Sequence, residues 1–152
     1  MHILLVEDDA QQSQTICESL YAAFPEARIE TLATELQFRQ RVDTIASNRP
    51  DIVILDVMLR WTDPSPQLVP KPVELKNTTF HKAGFRCQEL LQEHPETKDL
   101  PVILFTVIDE TDAKLGAPSV IFVAKFRDQV SLIEKIKELT RLDSSAKVVA
   151  SP

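Results

Sequence analysis

The chain has 152 residues, of which 43% are hydrophobic and 26% charged, and its formal net charge at pH 7 is −6. A chain of this length and composition is expected to form one globular domain with its own hydrophobic core. The negative charge argues against direct binding of nucleic acid. The sequence contains no apolar run long enough for a membrane span, and its acidic N-terminal segment is unlike a signal peptide. The expected location is therefore the cytoplasm.

Apolar runs alternate with amphipathic segments along the chain. Short runs rich in β-branched residues predict strands at 2–6, 27–32, 51–56, 101–106 and 119–124. Apolar residues at helical spacing predict helices at 9–24, 34–47 with Thr34 as N-cap, 81–94 and 127–142, with a short, weakly helical piece near 109–115. This alternation predicts an α/β fold of the (βα)5 type, in which a doubly wound, five-stranded parallel sheet lies between helices.

Two segments fall outside this alternation. Residues 60–80 form an insertion with four prolines, which favour an extended path over a helix. A loop of this length is either functional, as a flap or a docking surface for a partner, or a tolerated surface insertion, and both readings remain open. Residues 143–152 are expected to form a flexible tail, so that residues 1–142 make up a single domain.

Polar residues follow the predicted strands at the ends where the strands finish. In "DIVILDVML", residues 51–59, a carboxylate interrupts a long apolar run, which is costly unless the charge is paired. The corresponding positions after the other strands also carry polar groups, and the full set is Glu7, Asp8, Asp9, Asp56, Thr106 and Lys125. Each of these residues has a simpler interpretation as a helix cap or a solvated turn residue. Because parallel strands end on one side of a sheet, however, we expect the set to converge.

The chemistry of this set points to a cation and a phosphoryl group. Two carboxylates about 4 Å apart repel each other by about 4 kcal/mol at an effective dielectric constant of about 20, so three clustered acids need a counter-charge. Carboxylate oxygens suit a hard divalent cation such as Mg²⁺. Asp56 would then be a nucleophile toward phosphorus, and Thr106 and Lys125 have the side chains to hold phosphoryl oxygens. No histidine or cysteine follows these strands, which argues against a hydrolase triad.

With these residues in place, the chain resembles the receiver domain of two-component response regulators, in its stand-alone, CheY-like form. The resemblance rests on "ILLVEDD", "DIVILDVML", "LPVILFT" and "VIFVAKF", which follow the family's order and cover about residues 2–142. It implies a flavodoxin-like or CheY-like three-layer sandwich. In this resemblance Asp56 corresponds to the phosphoacceptor, and Glu7 and Asp8 to the acidic pair that binds Mg²⁺. Asp56 and the backbone carbonyl of Val57 are implied as further metal ligands.

The resemblance also implies the switch residues and the partners. Thr106 corresponds to the switch hydroxyl, Lys125 to the lysine that pairs with the phosphoryl group, and Phe122 to the aromatic residue that turns inward on activation. The implied partner is a histidine kinase or a phosphotransfer protein, and the output is a change in protein contacts, with a homodimer as an open alternative. The implied role is that of a signalling phosphoacceptor, which modifies only itself and is not an enzyme in the usual sense. No output domain follows residue 142, so a stand-alone receiver is expected.

Two positions in or beside the predicted site depart from the family's pattern. Phe126 follows Lys125 where the family has a proline after a cis bond, so either a strained cis bond is kept or the bond is trans and the lysine is displaced. Arg60 stands where a proline is usual, at the start of the insertion. These departures keep a second function open, a pseudo-receiver that is not phosphorylated and acts as a protein-binding adaptor. A Mg²⁺-dependent phosphohydrolase is less favoured, because Met58 stands where such enzymes carry a second acid.

Overall fold

Five described strands form one parallel sheet, as the alternation of the sequence predicts. The computed structural model describes residues 1–45, 47–65, 67, 69–112, 120–125 and 129–149, with side chains up to residue 141. The strands are β1 (His2–Val6), β2 (Arg28–Leu32), β3 (Ile52–Leu55), β4 (Val102–Thr106) and β5 (Ile121–Ala124). Their order in the sheet is β2-β1-β3-β4-β5, and every neighbouring pair is parallel. The point where the strand order reverses therefore lies between β1 and β3.

Helices cover both faces of the sheet. They are α1 (Ala10–Ala23), α2 (Glu35–Val42), α3 (Ala83–Glu93) and α4 (Gln129–Val149). One buried cluster joins α2 and α3 to one face of the sheet, and a second joins α1 and α4 to the other face. Successive residues of β1 alternate between the two clusters, because side chains along a strand point to opposite faces. The predicted doubly wound, three-layer α/β fold is confirmed.

The N-caps of the first two helices follow directly from the sequence. The side chain of Asp9 accepts the N–H of Gln12 at 2.8 Å, and that of Thr34, the predicted N-cap of α2, accepts the N–H of Gln37 at 3.1 Å. Each cap satisfies an amide of the first helical turn that has no partner within the helix. Asp9 is thus held as a cap and does not belong to the group of acids described below.

The predicted end of the second helix was wrong. The prediction extended this helix to residue 47, but α2 ends at Val42. The amides of Thr44 and Ile45 donate to the carbonyl groups of Arg41 and Val42, which lie three residues earlier in the chain, at 3.1 Å each. Such tighter turns are a common way to satisfy the last carbonyl groups of a helix, and they end α2 here.

The helix predicted at 81–94 also differs from its predicted bounds, and the helical piece predicted near 109–115 is described only in part. The segment predicted as a helix from residue 81 begins with a 3-10 turn, Phe80–Lys82, before α3 starts. Of the helical piece predicted near 109–115, residues 110–112 are helical, and the rest lies outside the described residues.

The last helix is longer than predicted. The backbone of α4 stays helical to Val149, beyond the predicted end at residue 142. The flexibility predicted for residues 143–152 stays a prediction. Neither glycine nor proline occurs between residues 142 and 149, so no residue type there forces the helix to end. None of the described helices, α4 included, combines the length and the apolarity needed to cross a bilayer.

The insertion is anchored to the start of α2 through its backbone. The carbonyl oxygens of Arg60 and Trp61 accept the N–H groups of Glu35 and Leu36, at 3.0 Å each. Within the insertion, the indole N–H of Trp61 donates to the carbonyl of Val69 at 2.9 Å. The first residues of the insertion therefore complete the N-terminal turn of a core helix, which ties this loop to the fold.

A buried carboxylate ties α2 to α3. The side chain of Glu35 is 1% exposed, and its oxygens accept hydrogen bonds from Arg39 at 3.0 Å and from Arg86 at 2.6 Å. The guanidinium of Arg86 also donates to the carbonyl of Thr79 in the insertion. Burial alone would raise the pKa of Glu35, but the hydrogen bonds from the two arginines lower it below its usual value. Glu35 is therefore an ionised link between two helices and the insertion.

Candidate functional site

Two carboxylates meet where the neighbouring strands β1 and β3 end. Val6 and Leu55 are register partners in the last positions of these strands, so the next residues, Glu7 and Asp56, emerge side by side. The amide of Asp56 donates to the carbonyl of Val6 at 2.9 Å, which continues the pairing by one residue. Glu7 is 3% exposed and Asp56 is 6% exposed. The sheet thus places two buried acids at its carboxyl edge, beside the point where the strand order reverses.

A third acid completes a group that we call the acidic cluster, defined as Glu7, Asp8 and Asp56. Each residue offers one carboxylate oxygen, and these three oxygens lie within 4.8 Å of one another. A set of carboxylate oxygens at this spacing fits a hard divalent cation such as Mg²⁺, which binds through one or two carboxylates and keeps several waters. The convergence predicted for these three residues is confirmed by the structure.

Lys125, directly after β5, reaches into the acidic cluster. Its ammonium Nζ lies 2.7 Å from Asp56 Oδ2 and 2.5 Å from Glu7 Oε2, and its side chain is 7% exposed. The amide of Lys125 donates to the carbonyl of Thr106 at 3.0 Å, which fixes the residue to the end of β4. Lys125 is therefore not displaced from the site. Phe126 lies outside the described residues, so the bond between Lys125 and Phe126 is left open as cis or trans.

The ionisation of Lys125 and Glu7 follows from burial and mutual attraction. Burial alone would lower the pKa of the Lys125 ammonium, but the charges of Asp56 and Glu7 and their hydrogen bonds raise it above its usual value. Burial raises the pKa of Glu7 above its usual value, although the hydrogen bond from Lys125 opposes this shift. Lys125 is thus held as a cation, while the acidic cluster has a shortage of positive charge that a bound cation would relieve.

The backbone that follows Asp56 makes hydrogen bonds with the side chain of Asp56 and with the start of α3. Asp56 Oδ1 accepts the N–H of Val57 at 2.7 Å and, more weakly, the N–H of Met58 at 3.4 Å. The carbonyl of Val57, predicted as a metal ligand through the family resemblance, accepts the N–H of Gly84 at 2.9 Å. The start of α3 therefore engages this carbonyl, and its role as a ligand stays a prediction.

Gly84 allows α3 to approach the backbone of the phosphoacceptor candidate. A Cβ atom at this position would lie 2.2 Å from the carbonyl oxygen of Asp56 and 2.6 Å from Cα of Val57. Real Cβ atoms do not come this close to backbone atoms, so only glycine fits. Sequence reasoning missed this residue. The available signal was its rarity, because the chain has only two glycines and one of them stands inside a predicted helix.

We expect Gly84→Ala to destabilise the protein by about 1–3 kcal/mol or more, the usual cost of an overpacked core position. In an exposed helix the same change would stabilise by about 1 kcal/mol, so the sign of the effect isolates the close approach to Asp56. Urea unfolding at neutral pH measures it. Gln92→Ala, at an exposed position of α3, is the matched control and should change the free energy of unfolding little. A Gly84→Ala protein as stable as the wild type would contradict the close approach.

Arg60, singled out in the sequence only as a departure from the family's proline, contacts the acidic cluster. Its backbone amide donates to Asp8 Oδ2 at 3.0 Å, and its side-chain Nε donates to the same oxygen at 3.3 Å. The guanidinium Nη2 also donates to the main-chain carbonyl of Asp8. The insertion therefore begins with a residue that contacts Asp8 through both its main-chain amide and its side chain.

The two predicted switch residues lie in the neighbouring strands β4 and β5. Thr106 is the last residue of β4 and is fully buried, and its hydroxyl accepts the N–H of Ile108 at 3.4 Å. Phe122 lies in β5 and is partly buried against the cluster that contains α2 and α3. It also lines an open groove between β5 and the first half of α4. The roles of Thr106 and Phe122 as switch residues stay predictions.

Known proteins resemble this chain in sequence and in fold. Response regulator PleD of Caulobacter vibrioides is 25% identical over 143 residues, which cover 91% of this chain and 26% of PleD. The chain thus spans about a quarter of the length of this curated relative. No protein-family model matches the chain.

Two solved structures show the likeness in fold. The signal receiver domain of a DNA-binding response regulator protein (merR) from Colwellia psychrerythraea 34H matches with a TM-score of 0.68 at 22% identity, over 93% of this chain and 98% of that one. The Mn²⁺-bound form of response regulator Rcp1 matches with a TM-score of 0.63 at 21% identity, over 94% of this chain and 91% of that one.

Proposed function

We propose that this chain, which has the fold of response regulator receiver domains, accepts a phosphoryl group on Asp56 in a Mg²⁺-dependent reaction and signals through the resulting change in protein contacts. The donor is a phosphohistidine on a histidine kinase or on a phosphotransfer protein, in the cytoplasm. The protein modifies only itself, so we regard it as a signalling phosphoacceptor. Direct DNA binding is not part of this proposal, and a homodimer remains an alternative form of output.

The observation that carries the proposal is the bridge of Lys125 between Asp56 and Glu7, at 2.7 Å and 2.5 Å. A buried lysine on two acids neutralises only part of their charge. The same ammonium can donate hydrogen bonds first to the carboxylate of Asp56 and then to the oxygens of a phosphoryl group bound there. An arrangement built only for stability would more simply be apolar, because a buried ion pair often gains little over hydrophobic residues of the same size.

The transfer step is a displacement at phosphorus. A carboxylate oxygen of Asp56 forms the new P–O bond, and the P–N bond of the phosphohistidine breaks with its electron pair moving to the imidazole nitrogen. The imidazole leaves as a neutral ring when its other nitrogen carries a proton. Lys125 donates hydrogen bonds to the charge that accumulates on the phosphoryl oxygens, and the buried hydroxyl of Thr106 is proposed to join it.

The acidic cluster is the proposed site for Mg²⁺, with Asp8 and Asp56 as direct ligands and Glu7 acting through water. A bound Mg²⁺ supplies two positive charges and polarises the phosphoryl oxygens. The donor set fits this ion, because its atoms are carboxylate oxygens and because Lys125 leaves part of their charge uncompensated. Mn²⁺ is a suitable probe for the same site, since its ligand preferences are similar.

Removing the metal should remove the modification. Incubated with Mg²⁺ and a small phosphodonor such as acetyl phosphate, the protein is expected to gain the mass of one phosphoryl group, measured on the intact chain. The same incubation with EDTA in excess over Mg²⁺ is expected to give almost no adduct, because the repulsion among three carboxylates and the incoming phosphoryl group is then unrelieved. An adduct of equal yield in EDTA would contradict the proposed role of the acidic cluster.

One observation favours a second function. The contact of Arg60 with Asp8 places a cation on a proposed metal ligand, which is what a non-phosphorylated pseudo-receiver with a blocked site would show. Such a protein would act as an adaptor, with the insertion as a docking surface. It would take up neither Mg²⁺ nor a phosphoryl group, so the mass measurement distinguishes the two functions.

A further inference from the structure

Arg60 occupies the side of the acidic cluster that faces the insertion. Three of its donors contact Asp8: the amide at 3.0 Å, Nε at 3.3 Å, and Nη2 on the main-chain carbonyl. Lys125 contacts the other two members, Glu7 and Asp56. The three acids thus carry two resident cations, which occupy different members of the cluster.

The two resident cations differ in how firmly they are held. Lys125 is 7% exposed and contacts two buried acids, whereas the side chain of Arg60 is 41% exposed and that of Asp8 is 25% exposed. Exposed ion pairs are weak, because water screens the attraction and because the long side chain loses freedom when it is held. The Arg60 guanidinium is therefore the cation that the site can release.

A divalent cation and the Arg60 guanidinium compete for the same carboxylate. A metal ion bound to Asp8 would lie within a few ångströms of the guanidinium, and like charges at such separations repel strongly in a partly buried site. The metal must either displace the side chain of Arg60 or bind against its charge. In both cases the presence of Arg60 weakens the binding of the metal to the non-phosphorylated protein.

Phosphorylation would change this balance. Without it, the acidic cluster carries three negative charges, which Mg²⁺ and Lys125 alone would neutralise. A phosphoryl group on Asp56 adds about one further negative charge, because the modified residue carries about two in place of one. The phosphorylated, metal-bound site can then accommodate the guanidinium as an additional cation, because it balances the added negative charge.

We propose that Arg60 is a built-in competitor of the divalent cation, which lowers the metal affinity of the resting site and sets the cation concentration at which the protein becomes ready for phosphorylation. This inference rests on the proposed function, because it concerns the same site. The backbone of Arg60 also takes part, since its carbonyl accepts the N–H of Glu35 at the start of α2. That contact keeps residue 60 in place when the side chain leaves Asp8.

The test is the affinity of the full chain for Mn²⁺, measured by the electron paramagnetic resonance signal of the free ion, with Mg²⁺ as competitor. Arg60→Gln removes the charge and is expected to bind Mn²⁺ about twofold to fivefold more tightly than the wild type, the range that a weak, partly exposed pair supports. Arg60→Lys keeps the charge at this position and is the matched control, with an affinity close to that of the wild type. Circular dichroism confirms that both variants are folded.

The outcomes separate this inference from the proposed function. An Arg60→Gln protein with unchanged or weaker Mn²⁺ affinity would overturn the competition, and so would an equal gain in Arg60→Lys. If the wild type also takes up a phosphoryl group in that case, the proposed function stands without the inference. If Arg60→Gln binds Mn²⁺ more tightly but no adduct forms in any variant, the competition stands and the proposed function fails. If no variant binds Mn²⁺, both are wrong.

Discussion

An Asp56→Asn protein is expected to take up no phosphoryl group under conditions in which the wild type gains one. The substitution keeps the size and the hydrogen-bonding oxygen of the side chain but removes the negative charge that makes the carboxylate a nucleophile. Asp56 is 6% exposed and its carboxylate lies 2.7 Å from Lys125 Nζ, so the substitution removes the proposed nucleophile from beside the group proposed to hold the phosphoryl oxygens. Intact mass after incubation with Mg²⁺ and acetyl phosphate measures the adduct.

Asp51 supplies the matched control for this experiment. It precedes β3 at the opposite edge of the sheet, where its carboxylate accepts the N–H of His2 at 2.7 Å. Asp51→Asn therefore changes the same residue type near the same strand, away from the acidic cluster, and should leave the adduct unchanged. Retention of the adduct in Asp56→Asn, or its loss in Asp51→Asn alone, would contradict the assignment of the phosphoacceptor.

Replacing Glu35 with alanine is expected to destabilise the protein by about 3–5 kcal/mol, the cost of removing one partner from a buried ion pair. Glu35 is 1% exposed and accepts hydrogen bonds from Arg39 and Arg86. Its loss would remove the buried carboxylate that both guanidinium groups contact between α2 and α3. Urea unfolding at pH 7 gives the free energy directly. Glu93→Ala, an exposed acid on α3, should change it by less than about 0.5 kcal/mol.

The same carboxylate should make stability depend on pH. Its pKa in the folded protein is below the usual value of 4.5, so its stabilising effect is complete above that value and is lost as the pH falls below it. Unfolding free energies between pH 7 and pH 3 should therefore fall less steeply in Glu35→Gln than in the wild type. Equal slopes for both proteins would contradict the assignment of the lowered pKa to Glu35.

The parts of the fold that depend on local pattern could be predicted from the sequence. Buried strands such as Ile52–Leu55 appear as continuous apolar runs, and their alternation with helices permits few topologies. The convergence of Glu7, Asp8, Asp56 and Lys125 followed from that topology, because the carboxyl ends of parallel strands share an edge. The resemblance to a known family added roles that no local pattern contains.

The residues that were missed depend on contacts between distant parts of the chain. The contact of Arg60 with Asp8 joins residues 52 positions apart, and Arg60 begins an insertion without periodic pattern. Gly84 matters because α3 approaches the backbone of Asp56, and such a distance follows from packing and not from residue type. The predicted end of α2 was wrong for a similar reason. Apolar residues continue at helical spacing past Val42, where the backbone changes to tighter turns.

The central claim is that Asp56 carries the phosphoryl group, and reduction of the modified protein with borohydride tests it most directly. Borohydride converts an aspartyl phosphate into homoserine, and peptide mass spectrometry locates the converted residue in the chain. The account predicts homoserine at position 56 alone, only after incubation with both Mg²⁺ and the phosphodonor. Homoserine at another aspartate, or an unconverted Asp56 in protein that carries the phosphoryl mass, would contradict it.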